Sequence, residues 1–171
     1  VTITTRYVVE NYTLNLNPSG GAITSSTLQM GYNANLVNLP TPSRTGYTFV
    51  DWVDVNQISA SQITISENIT LTAVWRVSDY TITLDVAGGE PEESITGPYE
   101  SAIRLPAAKR PGYTLLGWYL GNQRIPYTTT VPLGDQTYTA RWEANLYTLT
   151  MTNTVNDETS SITAAYDSPI V

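Results

Sequence analysis

The chain has 171 residues, no cysteine, no histidine and a net charge of -7 with only eight basic residues. These counts exclude disulfide bonds, zinc sites of the usual kind, Ser-His-Asp triads and cysteine nucleophiles, and we expect neither a metal nor a cofactor. The acidic balance disfavours nucleic acid as a partner. No apolar run reaches the ~20 residues of a membrane-spanning helix, so no membrane insertion is predicted for this segment.

A tandem repeat dominates the sequence, with an offset of 66 to 68 residues between its two copies. Aromatic, glycine and proline positions occur twice in the same order. The first copy has Tyr12, Gly20-Gly21, Tyr32, Leu39-Pro40, Gly46-Tyr47-Thr48, Trp52 and Trp75, and the second has Tyr80, Gly88-Gly89, Tyr99, Leu105-Pro106, Gly112-Tyr113-Thr114, Trp118 and Trp142. A fixed period of this length predicts an array of small domains.

The repeat divides the chain into four predicted segments. Residues 1–10 match the closing strand of a preceding repeat, residues 11–78 and 79–144 form two complete repeats, and residues 145–171 begin a third. Tyr147 and Tyr166 indicate the third copy, because each lies 67 residues after its counterpart in the second. The segment is therefore expected to be a window of a longer array.

Within each repeat the apolar residues alternate with polar ones, which predicts half-buried strands. Tyr12, Leu14 and Leu16 alternate with Thr13 and Asn15 in the first strand, and no stretch shows a convincing helical period. The sequence therefore predicts a mainly β fold, with at most a minor α+β component.

Glycines mark the predicted turns. A glycine pair follows the first strand of each copy and is expected to supply the positive φ of a tight hairpin turn. A single glycine precedes the strand that carries the first tryptophan of each copy. The predicted turn residues are Gly20, Gly21, Gly46, Gly88, Gly89 and Gly112.

The recurring aromatic side chains are the predicted core. A domain of about 67 residues buries only about 60 % of its unfolded surface, so large apolar side chains must compensate. The core residues expected are Tyr12, Trp52, Trp75, Tyr80, Trp118 and Trp142. Because the strand at residues 47–53 is apolar on both faces, a second hypothesis stays open for Trp52 and Trp118, namely an exposed platform that stacks on a glycan.

Charged residues give weaker signals. Glu90, Glu92 and Glu93 are typical of a solvated loop, although carboxylates on a turn can hold calcium. Arg44 and Arg110 precede Gly-Tyr in both copies, which fits a solvated turn or a contact with a partner. If each repeat carried paired catalytic carboxylates, we would expect acidic residues to recur at matching motif positions. No acidic residue does so. The chain is therefore predicted not to be an enzyme.

Several of these stretches resemble the Listeria-Bacteroides repeat, the B-repeat of internalin-type surface proteins. They are residues 12–21 (YTLNLNPSGG), 42–52 (PSRTGYTFVDW) and 71–75 (LTAVW) in the first copy, and 110–119 (RPGYTLLGWY) and 138–142 (YTARW) in the second. Departures are Asp51, where the second copy has Gly117, and Val155-Asn156 in place of a third glycine pair. The resemblance implies small β-grasp-like repeats in a linear array, without catalytic residues.

The sequence and the resemblance together predict a non-catalytic, extracellular spacer or adhesion module of a bacterial cell-surface protein. Its expected partners are neighbouring repeats of the same protein and a host or cell-wall glycan or protein. The alternatives are a glycan-binding module that uses exposed aromatic side chains, and an accessory region of a secreted enzyme.

Both ends hold partial repeats whose strands lack a partner within their own repeat. Exposed strand edges recruit other strands. We therefore expect each end to add to a sheet, either of the neighbouring complete repeat or of another copy of the chain, and the latter would be self-association through the terminal strands.

Overall fold

The computed structural model describes Val8 and residues 10–169. These residues form thirteen β-strands and one turn of 3-10 helix, with no α-helix among them, which confirms the prediction of a mainly β chain. None of their helical residues forms a segment long and apolar enough to span a bilayer. The chain divides into two compact units, Val1–Ser78 and Asp79–Val171. The closing strand predicted within residues 1–10 lies almost entirely outside the described residues.

The first unit contains one mixed sheet of four strands. They are β1 (Asn11–Asn17), β2 (Thr27–Gly31), β3 (Tyr47–Val53) and β4 (Ile69–Val77), and the 3-10 turn is Ala60–Gln62. The strand order is β2-β1-β4-β3. The central strands β1 and β4 are parallel, with Leu14 opposite Ile69. On the outside, β2 pairs antiparallel with β1, and β3 pairs antiparallel with β4. The first and last strands of the repeat therefore lie side by side in the middle of the sheet.

The second unit repeats this arrangement and extends it. Its strands are β5 (Asp79–Asp85), β6 (Glu93–Pro98), β7 (Ala102–Arg104), β8 (Tyr113–Leu120), β9 (Gln123–Ile125), β10 (Thr128–Thr130), β11 (Gln136–Ala144), β12 (Leu146–Thr152) and β13 (Thr159–Ala165). Five of them form a sheet of order β6-β5-β11-β8-β9, in which β5 and β11 are again parallel, with Ile82 opposite Gln136. Strands β7 and β10 form a separate ladder.

The partial third repeat forms the hairpin β12–β13. Leu146 lies opposite Ala165 and Thr152 opposite Thr159, and among the described residues the two strands pair only with each other. Among these residues the hairpin does not extend the five-stranded sheet of the second complete repeat. The expectation that each end adds to another sheet stays a prediction.

The four-stranded sheet and the five-stranded sheet each bury a hydrophobic core of their own. In β1 the buried Leu14 and Leu16 alternate with the exposed Asn15 and Asn17, as expected of a strand that has one face covered. The first core consists of Leu14, Leu16, Leu36, Trp52, Ala60, Ile65, Leu71 and Ala73. The second consists of Ile82, Leu84, Val86, Leu105, Ala108, Trp118, Tyr138 and Ala140.

A β-bulge interrupts the alternation in the strand that carries the first tryptophan of each unit. The register against β4 skips Val50, so Phe49 and Trp52 both reach the core although they are three residues apart. In β8 the skipped residue is Leu116. The bulge explains why these strands look apolar on both faces, because the extra residue is the one left exposed.

Candidate functional site

The first tryptophan of each unit is enclosed. Trp52 is 3 % exposed and Trp118 is 1 % exposed. Their indole Nε1–H groups donate to the backbone carbonyl oxygens of Pro40, at 3.0 Å, and Pro106, at 2.8 Å. A buried indole needs such an acceptor. Both the ring faces and the polar handle are therefore occupied inside the domain, which leaves no exposed platform at these positions.

The closing tryptophans lie at the margin of each core. Trp75 and Trp142 are half-buried and pack against the core clusters. Their Nε1–H groups donate to the carbonyl oxygens of Pro18, at 3.0 Å, and Val86, at 2.9 Å. These rings tie the closing strand to the turn after the first strand, rather than filling the centre of the core.

The opening tyrosines also lie at the margin. Tyr12 and Tyr80 are half-buried, and their rings contact Tyr32 at 6.4 Å and Tyr99 at 6.3 Å between centroids. The Tyr12 hydroxyl donates to the Glu10 carboxylate at 2.8 Å. This hydrogen bond, together with burial, raises the pKa of Tyr12 above its usual value. Neither tyrosine is one of the fully enclosed core residues.

The two glycines of each pair have different roles, which the prediction did not separate. Gly20 and Gly88 have φ of 85°, as predicted for turn residues. Gly21 and Gly89 do not have positive φ; instead a Cβ at either would lie 2.6 Å from the tryptophan atom Cζ2 that covers it. The second glycine is therefore required by close packing of Trp75 or Trp142 against the backbone.

The recurring arginines hold the same turns. The guanidinium carbon of Arg44 lies 3.8 Å from the centroid of Tyr47, and Arg44 Nη1 donates to the Ser19 carbonyl at 3.3 Å. Arg110 makes the same two contacts, with Tyr113 at 3.9 Å and with the Ala87 carbonyl at 3.4 Å. The recurrence thus has an internal explanation, since each arginine joins the glycine turn to the Gly-Tyr motif by a cation–π contact and a hydrogen bond.

A junction of side chains joins the second complete repeat to the hairpin β12–β13 within the second unit. A Cβ at Gly112 would overlap the ring of Tyr166, and that ring makes an edge contact with Tyr113 at 5.5 Å. Asn145 lies between them, because its N–H donates to the Gly112 carbonyl and its own carbonyl accepts from the Tyr166 N–H, both at 2.8 Å. The Tyr113 hydroxyl donates to Asp167 at 3.2 Å. The Gly-Tyr motif therefore contacts the following repeat as well as starting a strand.

Sequence reasoning missed one recurring polar pair. The side-chain oxygen Oδ1 of Asn68 accepts from the backbone N–H of Thr13, and that of Asp135 accepts from Thr81, both at 2.7 Å. Each acceptor stands one residue before the parallel ladder of its repeat begins. The signal was available, because Asn68 and Asp135 are 67 residues apart and share the same acceptor chemistry.

In the described part of the chain, no three acidic side chains lie close enough together to hold one metal ion, and Glu90, Glu92 and Glu93 therefore do not form such a group. A concavity of about 590 Å³ at the tip of β12–β13 contains a single carboxylate, from Glu158. One carboxylate is too few for paired-carboxylate glycoside hydrolysis.

These features define a class of small all-β repeat whose recurring tryptophans, glycines and arginines make contacts inside their own repeat. The chain matches the family model of the Listeria-Bacteroides repeat domain twice, over residues 12–74 and 80–140. The chain therefore belongs to the Listeria-Bacteroides repeat domain family.

The chain is similar to segments of three larger bacterial proteins. It is 30 % identical to Internalin H of Listeria monocytogenes over 152 residues, which cover 82 % of this chain and 27 % of the relative. It is 28 % identical over 179 residues to an Evansella cellulosilytica protein named "Putative membrane protein", covering 99 % of this chain and 27 % of that protein. A second protein of the same organism, "Putative Gly-rich membrane protein", is 24 % identical over 96 % of this chain and 20 % of its own length. The chain thus spans about a quarter or less of these relatives.

Proposed function

We propose that the chain is a non-catalytic spacer or adhesion module of a bacterial cell-surface protein, built from tandem β-grasp-like repeats. The carrying observation is that all four tryptophan indoles donate to backbone carbonyls of their own repeat. The residues that define the repeat are thereby used for folding. A row of exposed indoles, which stacking on a glycan would require, is not what these contacts provide.

The sheet order supports the β-grasp-like part of the proposal. In both units the first and last strands of the repeat form a central parallel pair. The strands that flank this pair are β2 and β3 in the first unit, and β6 and β8 in the second. Parallel neighbours need a crossover connection, and here the segment between β1 and β4 supplies it.

An extracellular location is supported by the family and by the relatives' names. One relative is an internalin and two are named as membrane proteins. The absence of cysteine means that each small domain depends on its aromatic core for stability. The alternative function, an accessory region of a secreted enzyme, implies the same extracellular location and differs only in the kind of protein to which the repeats belong.

Small-angle X-ray scattering tests the linear array that the spacer role requires. Only four residues separate Trp75 from Tyr80 and Trp142 from Tyr147, so we expect the repeats to follow one another in line. A compact chain of this length has a radius of gyration of about 15 to 16 Å, whereas two domains in line should approach about 20 Å or more. A value near the compact estimate would contradict the spacer proposal.

A further inference from the structure

A cluster of large polar side chains lies on the outer face of the five-stranded sheet. Trp118 and Ala140 are paired in β8 and β11 and belong to the second core. Their neighbours Tyr119 and Thr139, which are also paired, point to the opposite face, because successive side chains of a strand alternate. Tyr119 pairs in turn with Arg124 of β9, so this arginine lies on the same outer face.

A second arginine reaches this face from β11. Arg141 lies opposite Gly117, and its guanidinium carbon Cζ lies 4.3 Å from the centroid of the Tyr119 ring. Its Nη2 donates to the Gly121 carbonyl oxygen at 2.6 Å and to Asn122 Oδ1 at 2.9 Å. The ring and the two acceptors fix the guanidinium in place. Both acceptors are neutral, so they leave its positive charge uncompensated.

Arg124 lies across the backbone of the neighbouring strand. A Cβ at Gly117 would lie 2.8 Å from Arg124 Nε and 3.5 Å from its Cζ, so the guanidinium occupies the space that a side chain would fill. The acidic residues on this face lie elsewhere, since Glu143 is opposite Thr114 near the start of β8 and Asp85 is on β5. Among the described residues, no carboxylate forms an ion pair with either arginine.

None of these three side chains, one tyrosine and two arginines, has a like counterpart in the first unit. The corresponding positions there hold Asp51, Val53 and Val74, and the turn at residues 54–58 contains no arginine. Residues that the shared fold requires recur in both copies, as the tryptophans do. The shared fold therefore does not require this cluster, which leaves it available for a role of the second repeat alone.

We propose that Arg124 and Arg141, held by Gly117 and Tyr119, bind the carboxylate groups of an acidic polysaccharide. This site rests on the adhesion role in the proposed function and gives that role a ligand class. A guanidinium donates charge-assisted hydrogen bonds to a carboxylate, and its planar shape matches that of the acceptor. Beside Tyr119, strand β8 is paired on both sides, by β11 and β9, so it offers an extended peptide no open edge there and recognition is left to side chains.

Isothermal titration calorimetry of the 171-residue chain with oligogalacturonate tests the site. A few exposed contacts bind weakly, and we expect a dissociation constant of about 0.1 to 1 mM at low salt, where the charges are screened least. Arg124→Gln and Arg141→Gln should each weaken binding by about tenfold, because each removes charge-assisted hydrogen bonds. Arg124 donates no hydrogen bond to a described residue, so its variant tests the proposal even if Arg141→Gln disturbs the turn between β8 and β9.

Arg76→Gln is the matched control. Arg76 is an exposed arginine of β4 in the first unit, so the change in net charge is the same and the cluster is untouched. This variant should bind oligogalacturonate within about twofold of the unchanged chain.

Two further probes separate the sources of binding. Neutral dextran should not bind measurably. Poly-L-glutamate should bind about tenfold more weakly than oligogalacturonate at equal carboxylate concentration, because its flexible chain loses more conformational entropy on binding. No binding of oligogalacturonate, equal binding of either probe, or equal losses in Arg76→Gln and Arg124→Gln would each overturn the proposal. The spacer role is tested by scattering and would survive such a result, so the two proposals fail separately.

Discussion

The ring of Tyr166 occupies the space in which Gly112 would otherwise carry a Cβ atom. The two residues belong to consecutive repeats, and the contact is reinforced by the two hydrogen bonds of Asn145. A glycine that sequence analysis identifies as a turn residue is thus also the docking point of the next hairpin. Its φ of 79° and its lack of side-chain space are separate constraints, and they can be tested separately.

Gly112→Ala should detach the hairpin β12–β13 from the second complete repeat. Gly134→Ala is the matched control, because Gly134 has the same φ of 79° but no atom lies within 4 Å of the point that its Cβ would occupy. Both variants should lose about 1 to 2 kcal/mol through backbone strain. Amide hydrogen exchange should show lost protection in residues 146–165 only for Gly112→Ala. Equal protection in the two variants would contradict the role assigned to Tyr166.

Gly89→Ala should destabilise the second unit strongly, although Gly89 does not have positive φ. A Cβ there lies 2.6 Å from Trp142 Cζ2 and 2.7 Å from the Lys109 carbonyl oxygen, and the backbone atom cannot rotate away. We expect a loss of about 3 kcal/mol in urea denaturation, at the upper end for overpacking. Gly97→Ala is the control, because a Cβ at Gly97 would lie 3.2 Å and 3.3 Å from its nearest atoms, which belong to side chains. This substitution should cost about 1 kcal/mol or less. Similar losses for both would refute the packing explanation.

Asp135→Ala should lower the free energy of unfolding of the second unit by about 1 kcal/mol, because the Thr81 N–H loses its acceptor. Asp135→Asn should retain most of that stability, since Asn68 performs the same task in the first unit. Chemical denaturation of the two variants decides the point. If asparagine is as harmful as alanine, the carboxylate has a role beyond accepting this hydrogen bond.

The stability of the second unit should fall at high pH in a manner that depends on Tyr138. Burial raises the pKa of Tyr138 above the usual tyrosine value of 10.0. The folded state then holds this proton more tightly than the unfolded chain does, so the contribution is complete below about pH 10 and is lost as the pH rises towards the folded pKa. Tyr138→Phe should lose less stability between about pH 9 and pH 11 than the unchanged chain. Identical losses would show that burial of this hydroxyl has no such effect.

Much of each sheet follows from the sequence. The alternation at residues 12–16 places Leu14 and Leu16 in the core, and the glycine pairs mark turns where Gly20 and Gly88 have positive φ. These features depend only on residues that are close together in the sequence, so they can be predicted without knowledge of the tertiary structure. Period-two alternation and turn residues were therefore sufficient for the mainly β prediction.

Other features depend on contacts between distant residues. Strict alternation fails at Val50, because the bulge shifts Trp52 onto the same face as Phe49. The parallel pairing of β1 with β4 joins residues such as Leu14 and Ile69, which no local pattern connects. The sequence contains the regular spacing of the aromatic residues and the recurrence of Asn68 as Asp135. The contacts that these residues make can be assigned only when the register of the sheet is known.

The recurring tryptophans stabilise the fold of their own repeat, and Trp118→Ala tests this role most directly. Trp118 is 1 % exposed, and its removal should cost about 3 to 5 kcal/mol, most of the stability of so small a domain. Leu116→Ala on the same strand, at a residue that is 40 % exposed, should cost about 0.5 kcal/mol or less. In amide hydrogen exchange, the backbone amides of β5, β8 and β11 should lose protection in Trp118→Ala but not in Leu116→Ala. Unchanged protection in Trp118→Ala, combined with lost retention on a glycan array, would contradict the claim and establish a binding platform instead.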